Sequence, residues 1–163
     1  MLSFLHLKPF YIYNIILIIS FSLIVSSNQE FPYLYISLYC IFHFLLIYLA
    51  LYHFRITLYF IYFFYGLGLD ILWLNEIGPH LLVFVFILVI IKFTQKYLYK
   101  LSSLKIYFFL LLAQLSMIFL EKIFSYILFS FKSDSIFLIK IIIFSLILSF
   151  PIFFLFSKID ELK

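Results

Sequence analysis

Residues 136–156, IFLIKIIIFSLILSFPIFFLF, decide the fold class of this chain, and Lys140 is the one charged side chain among them. A transmembrane helix needs about 20 predominantly apolar residues to cross the hydrocarbon core of a bilayer, and this run meets that requirement. The rest of the chain is similar: 67% of its 163 residues are hydrophobic, 11% are charged, and the mean hydropathy is +1.26. Soluble domains are about half apolar and a quarter charged, so this composition excludes a soluble protein.

Polar interruptions divide the chain into six apolar runs with short connections. The predicted helices cover residues 10–26, 33–52, 56–74, 79–91, 104–129 and 136–156, and residues 92–100 can continue the fourth. Pro79 fits the first turn of a helix, where its missing N–H costs nothing. Strands of a membrane barrel alternate apolar and polar residues, whereas these runs are apolar on all sides. The sequence therefore predicts an all-α integral membrane protein, a single domain built as a bundle of six transmembrane helices.

Basic residues are distributed unevenly between the two sides of the predicted bundle. With the N-terminus inside, the cytoplasmic set is Lys8, Arg55, Lys92, Lys96, Lys100, Lys105, Lys158 and Lys163, and the outer set is Lys132 and Lys140. Cytoplasmic loops of membrane proteins carry an excess of Lys and Arg, so we expect both termini to be cytoplasmic. An alternative for the first run is a signal peptide cleaved near Val25-Ser26-Ser27, although its apolar stretch is slightly longer than is usual in such peptides.

The segment that follows the fourth run carries a stripe of positive charge. Lys92, Lys96 and Lys100 are spaced four residues apart and share one face of a helix. Such a stripe can bind anionic lipid, and ordinary anchoring of the topology explains it equally well. The net charge of +4 is accounted for by such loops, so we expect the lipid bilayer and no nucleic acid as a partner.

Motifs of soluble enzymes are missing from the chain. There is no GxSxG, P-loop, HExxH or dinucleotide-binding glycine pattern. The histidines fall at different predicted depths, so they cannot converge on one metal ion, and His43 is better explained as a core residue that bonds between helices. Phosphotransfer would need several convergent carboxylates to hold metal ions, and Asp70 and Glu121 lie on different helices. We therefore expect no catalytic residues, no metal site and no cofactor.

Asp70 is the most informative single position, because a carboxylate in hydrocarbon is costly unless it is paired or hydrated. Gly66 lies one turn earlier on the same face, where its missing side chain lets a neighbouring helix approach. We expect the two residues to form one packing element. Asp70→Asn is then mild if the carboxylate acts as a hydrogen-bond acceptor. Two alternatives are an acid that reaches interfacial water and an ion pair with Lys140 at similar depth.

The fifth predicted helix carries a second polar set, in which Gln114 and Glu121 share one stripe and Lys122 lies beside it. Glu121 and Lys122 point about 100° apart and cannot pair face to face. A polar cavity for a substrate is one interpretation of this set, as is a contact with another membrane protein. A structural hydrogen-bond network is the interpretation we favour.

The stretch Gly66-Leu67-Gly68-Leu69-Asp70, with Gly78 eight residues after the aspartate, resembles the rod shape-determining protein MreD family. That family typically has a proline opening the second helix, here Pro32, then a Gly-x-x-x-Asp helix end and a glycine before the next span. Length, helix number and the basic fourth connection agree over nearly the whole chain. Leu74 departs from the family pattern, which often has a small residue at that position.

The resemblance implies a non-enzymatic scaffold in the bacterial inner membrane, part of the machinery for cell elongation and peptidoglycan synthesis. Its implied partners are an MreC-like bitopic membrane protein and, through the assembly, the actin-like MreB filament and the wall synthases. The implied fold is similar to the substrate-binding subunits of energy-coupling-factor vitamin transporters, which makes such a subunit the alternative function. Those subunits dock through an Ala-x-x-x-Ala surface on the first helix, whereas the alanines here are Ala50 and Ala113. A flippase is disfavoured, since it would need a larger charged cavity.

Overall fold

The computed structural model describes residues 9–27, 31–74, 78–130 and 135–161, and all regular structure within them is helical. The helices are α1 (Pro9–Ser27), α2 (Pro32–Tyr52), α3 (Thr57–Leu74), α4 (Pro79–Leu98), α5 (Ser103–Phe129) and α6 (Ser135–Glu161). Five of these are long and apolar enough to cross a membrane, and residues 57–72 of α3 form a shorter apolar helix. The predicted all-α membrane bundle is therefore confirmed for the described ranges.

Successive helices run in opposite directions, which gathers the connections at two ends of the bundle. The Gly78 end contains the beginnings of α2, α4 and α6, and the His53 end contains their C-termini. Pro32 and Pro79 occupy the first positions of α2 and α4, as the sequence indicates for residues that lack a backbone N–H. The sequence predicts the Gly78 end to face outward and the His53 end to face the cytoplasm.

Helix α2 lies at the centre of the bundle and contacts α1, α4, α5 and α6. Its sequence is apolar around the whole circumference, which suits a helix surrounded on all sides. Leu45, Leu46 and Ile47, three successive residues of α2, are all fully buried. Large apolar side chains of the peripheral helices, such as Ile18 and Ile147, are instead exposed. Outward-facing apolar side chains of this kind indicate contact with the lipid bilayer.

Helix α4 includes most of the continuation that the sequence allows over residues 92–100, helix α6 continues beyond its predicted end, and tertiary hydrogen bonds explain both cases. Helix α4 extends past Ile91 to Leu98, because Gln95 Nε2 and the Tyr99 hydroxyl each donate to the Leu51 carbonyl oxygen at 2.7 Å. That carbonyl lies in the last turn of α2, where no partner is available within the helix. Helix α6 continues past residue 156 to Glu161, because side chains of α1 and of the α2 C-terminus hold its last turn.

Candidate functional site: three carboxylate–histidine pairs

Asp70, near the C-terminal end of α3, binds the beginning of α4. Its Oδ2 accepts hydrogen bonds from the backbone N–H groups of Gly78 at 3.0 Å and Leu81 at 2.9 Å. Its Oδ1 accepts from the backbone N–H of His80 at 3.0 Å and from His80 Nδ1 at 2.8 Å. The first N–H groups of a helix have no partner within the helix, and its N-terminus carries partial positive charge. The fully buried Asp70 therefore caps α4 from the neighbouring helix.

Gly66 allows the two helices to come close enough for this cap to form. A Cβ atom at position 66 would lie 2.7 Å from Leu81 Cα and 3.0 Å from Leu81 N, which are backbone atoms that cannot turn away. Gly78 is in close contact on its other side, where a Cβ atom would lie 2.7 Å from the ring of Phe129. The structure thus brings Gly66, Asp70 and Gly78 together at one junction of α3 and α4.

Lys140 is not the partner of Asp70 in the described part of the chain. Its Nζ lies 5.2 Å from the ring centroid of Tyr33 on α2, while donors of α4 occupy both oxygens of Asp70. The four donors to Asp70 also change the expectation for Asp70→Asn, which is now a harmful substitution and not a mild one. A carboxamide has one acceptor oxygen, whereas the carboxylate serves four donors.

Glu121 of α5 binds two side chains of α2 in the interior of the bundle. Its Oε1 lies 2.8 Å from His43 Nε2, and its Oε2 accepts a hydrogen bond from the Tyr39 hydroxyl. All three residues are fully buried. His43 Nδ1 lies 2.8 Å from the Tyr39 carbonyl oxygen, and a carbonyl only accepts, so this nitrogen carries a hydrogen. One further proton must therefore lie between His43 and Glu121, and the pair has no net charge whichever group holds it.

Gln114 extends the polar interior toward α6, two turns from Glu121 along α5. Its Nε2 donates to the Cys40 carbonyl oxygen at 2.9 Å and to Ser145 Oγ at 3.2 Å. The Ser145 hydroxyl in turn donates to Cys40 Sγ at 3.3 Å. Gln114 and Glu121 are 1% and 0% exposed, so the geometry is that of a buried hydrogen-bond network that joins α2, α5 and α6.

The predicted cationic residues lie against aromatic rings or at the surface. Lys122 Nζ lies 5.9 Å from the ring centroid of Tyr39 and 5.6 Å from that of Phe137. Lys92 Nζ is similarly placed near two rings at the His53 end, at 5.7 Å and 5.6 Å. Lys96 and Lys100 are exposed at the same end. The basic stripe therefore lies on the C-terminal part of α4 and on the turn that follows this helix.

Asp160 forms a third cluster at the His53 end, which sequence reasoning missed. Its Oδ1 accepts from the Tyr13 hydroxyl at 3.0 Å and from His53 Nε2 at 2.9 Å, and its Oδ2 accepts from the Tyr48 hydroxyl at 2.6 Å. The cluster ties the last turn of α6 to α1 and α2. An open cavity of about 360 Å³ adjoins this cluster, and its lining includes Tyr48, Tyr52 and Asp160.

The three clusters share one composition. Each histidine that the structure describes is paired with a carboxylate that lies on a different helix. The pairs occupy the Gly78 end, the interior and the His53 end. Phe84 lies beside the first two pairs, with ring centroids 6.4 Å from His80 and 5.5 Å from His43. Among the described residues no three His, Cys, Asp or Glu side chains are grouped in a way that could hold a metal ion. What the three pairs provide is hydrogen bonding between helices.

The chain was compared with protein-family models, with curated proteins and with solved structures, and none of them matches it.

Proposed function

We propose that this protein is a non-enzymatic scaffold of the MreD type in the bacterial inner membrane, and that it serves the machinery that elongates the cell. The observation that carries the proposal is the meeting of Gly66, Asp70 and Gly78 at one junction of α3 and α4. These are the positions on which the family resemblance rests. Their contacts position a helix, because all three residues are buried and α4 itself supplies the donors to Asp70.

The proposed partners follow from the same family resemblance. An MreC-like bitopic membrane protein is the direct partner, and the MreB filament and the wall synthases are reached through the assembly. The proposed orientation, with both termini in the cytoplasm, is supported by the concentration of lysines at the His53 end. In this orientation Lys96 and Lys100 face the side on which the filament assembles, and their exposed side chains suit electrostatic contact with anionic lipid or an acidic partner.

A substrate-binding subunit of a vitamin-type transporter is the alternative, and the packing of the interior disfavours it. A ligand pocket needs polar groups that converge on a space between helices. Here His43, Asp70 and Glu121 are fully buried and bind groups of the protein itself. Ala50 and Ala113 lie in α2 and α5, so α1 lacks the Ala-x-x-x-Ala pattern through which such subunits dock, and the small residues that it offers in its place are serines.

Depletion and co-purification test the proposal together. Loss of the protein should round the cells and scatter the elongation machinery without reducing vitamin uptake. Gly66→Leu should reduce co-purification of the bitopic partner, because the added side chain pushes α4 away. Gly68→Leu is the matched control, since a Cβ atom there would meet only the ring end of Phe21 at 2.9 Å. Normal rod shape on depletion, together with impaired uptake of a small nutrient, would support the transporter instead.

A further inference from the structure

An apolar groove runs between α5 and α6 on the outer surface of the bundle. It has a volume of about 340 Å³. Its walls include Leu115, Ile118 and Phe119 of α5 and Leu138, Ile141 and Ile142 of α6. Ser116 also lines the groove and is exposed, as are Phe119 and Ile142, so the groove opens where the helices meet lipid.

Lys122 lies one turn beyond the α5 wall of this groove. One face of α5 carries Leu115 and the residues three, four and seven positions after it, which are Ile118, Phe119 and Lys122. Because α5 runs toward the Gly78 end, Lys122 follows the apolar wall on the side nearer to that end. Its Nζ lies 5.6 Å from the ring centroid of Phe137, the residue before the first wall residue of α6. A cationic side chain therefore follows the apolar wall of the groove, one turn further along α5.

The ammonium group of Lys122 lacks a carboxylate partner within residues 9–27, 31–74, 78–130 and 135–161. The neighbouring Glu121 is engaged by His43 and Tyr39 on α2. The Lys122 ammonium lies over two aromatic faces, and Glu121 attracts it from the adjacent position without forming an ion pair with it. Ionisable side chains at membrane depth pair with an opposite charge or mark a functional site, so an anionic partner is expected at Lys122.

The depth of Lys122 matches the level of a lipid headgroup. Helix α5 has 27 residues and a length of about 40 Å, whereas the hydrocarbon core is about 30 Å thick. Lys122 lies seven residues, about 10 Å, before the end of α5 at Phe129. If α5 extends equally beyond both sides of the hydrocarbon core, the Cα atom of Lys122 is about 5 Å inside the edge of that core. A lysine side chain can reach from there to the membrane–water interface.

We propose that an anionic phospholipid binds here, with its phosphate at Lys122 and an acyl chain in the groove between α5 and α6. The wall of α5 spans residues 115–119, about 6 Å of helix axis. The apolar walls open toward the lipid-facing surface, where an acyl chain of the bilayer can enter between the two helices. The phosphate supplies the ion-pair partner that Lys122 lacks among the described residues.

Retention of lipid by the intact purified protein tests this proposal. The protein is reconstituted in phosphatidylcholine vesicles with or without phosphatidylglycerol, and bound lipid is counted by native mass spectrometry. We expect one retained phosphatidylglycerol. Lys122→Gln should weaken its apparent affinity about fivefold, which corresponds to about 1 kcal/mol. Lys122→Arg should preserve binding, and Ser116→Phe should abolish it by filling the groove.

Lys140→Gln is the matched control, because Lys140 is also on the Gly78 side but faces Tyr33 on α2. Retention equal to wild type in Lys140→Gln, with loss in Lys122→Gln, would establish the site. Equal losses in both variants would show nonspecific attraction to the charged leaflet and overturn the proposal. Unchanged binding in Lys122→Gln, or retention in Ser116→Phe, would also overturn it. Thermal unfolding of each variant, followed by the reactivity of buried Cys40, separates lost binding from lost folding.

Discussion

The capping of α4 by Asp70 makes Asp70→Asn a severe substitution, although it preserves size and shape. The carboxylate accepts four hydrogen bonds, two on each oxygen. The amide keeps one acceptor oxygen and turns an NH₂ group toward the two remaining donors, at least one of which is a backbone N–H. Hydrogen bonds to a charged group contribute about 1.5–3 kcal/mol each, so the loss of two costs about 3–6 kcal/mol. Removing negative charge from a helix N-terminus adds to this cost.

Thermal unfolding in mild detergent measures this effect, with a thiol-reactive dye as the probe. Cys40 is the one cysteine of the chain and is 1% exposed, so the dye reacts as the bundle opens. One kcal/mol shifts Tm by about 2–4 °C in a domain of 150–250 residues, so the Tm of Asp70→Asn should fall by at least about 6 °C.

Asp160→Asn is the matched control for this experiment. Two of the three donors to Asp160 are the hydroxyls of Tyr13 and Tyr48, which can rotate and accept a hydrogen bond from the amide, whereas backbone N–H groups cannot. We expect a smaller shift for this variant. The reasoning is refuted if Asp70→Asn unfolds within about 2 °C of wild type, or if its shift does not exceed that of Asp160→Asn.

Two further predictions use the same assay. Gly66→Ala should destabilise the protein by about 1–3 kcal/mol because its Cβ meets the backbone of α4, whereas Gly68→Ala should be within about 1 kcal/mol of wild type since the ring of Phe21 can turn. Equal shifts in the two alanine variants would contradict this. Glu121→Gln should also be mild, because its amide can donate to His43 Nε2 and still accept from the tyrosine hydroxyl. Glu121→Ala should cost about 3–5 kcal/mol, and similar stability of the two Glu121 variants would refute the paired arrangement.

The number and approximate starts of the helices could be predicted because they depend on local sequence. Apolar length sets the number of helices, and Pro32 and Pro79 mark the starts of α2 and α4. The C-terminal ends of α4 and α6 could not be fixed in the same way, although the sequence allowed α4 to continue over residues 92–100. They depend on hydrogen bonds between helices, such as that from Gln95 to the carbonyl oxygen of Leu51, which no local pattern encodes.

The buried acids could be singled out from sequence, whereas their partners could not. Asp70 and Glu121 are conspicuous because a carboxylate in an apolar run requires compensation. Which donor supplies it depends on helix packing, and depth alone made Lys140 a candidate partner of Asp70. Asp160 was missed because it was assigned to the tail after the sixth run. One signal in the sequence could have revealed this partner. Histidines and acids occur at matching predicted depths, and His53 and Asp160 form such a match at the cytoplasmic end.

The spacing of the three pairs bears on whether they conduct protons or hold helices. His43 and His53 are ten residues apart on and just after α2, about 15 Å of helix axis. Within the described residues the intervening side chains of α2 are apolar except for Tyr48 and Tyr52, and the Tyr48 hydroxyl already binds Asp160. The described side chains between His43 and His53 therefore do not form a continuous series of hydrogen bonds.

The ring of Phe84 lies beside both His43 and His80, at centroid distances of 5.5 Å and 6.4 Å. What the pairs do is join helices: α3 to α4 through Asp70, α2 to α5 through Glu121, and α1 and α2 to α6 through Asp160. Every helix of the bundle is thereby tied to a neighbour by a buried or partly buried carboxylate. A transporter that alternates between conformations would have to break such ties in each cycle, whereas a scaffold requires a fixed surface. The distribution of the pairs therefore supports the scaffold.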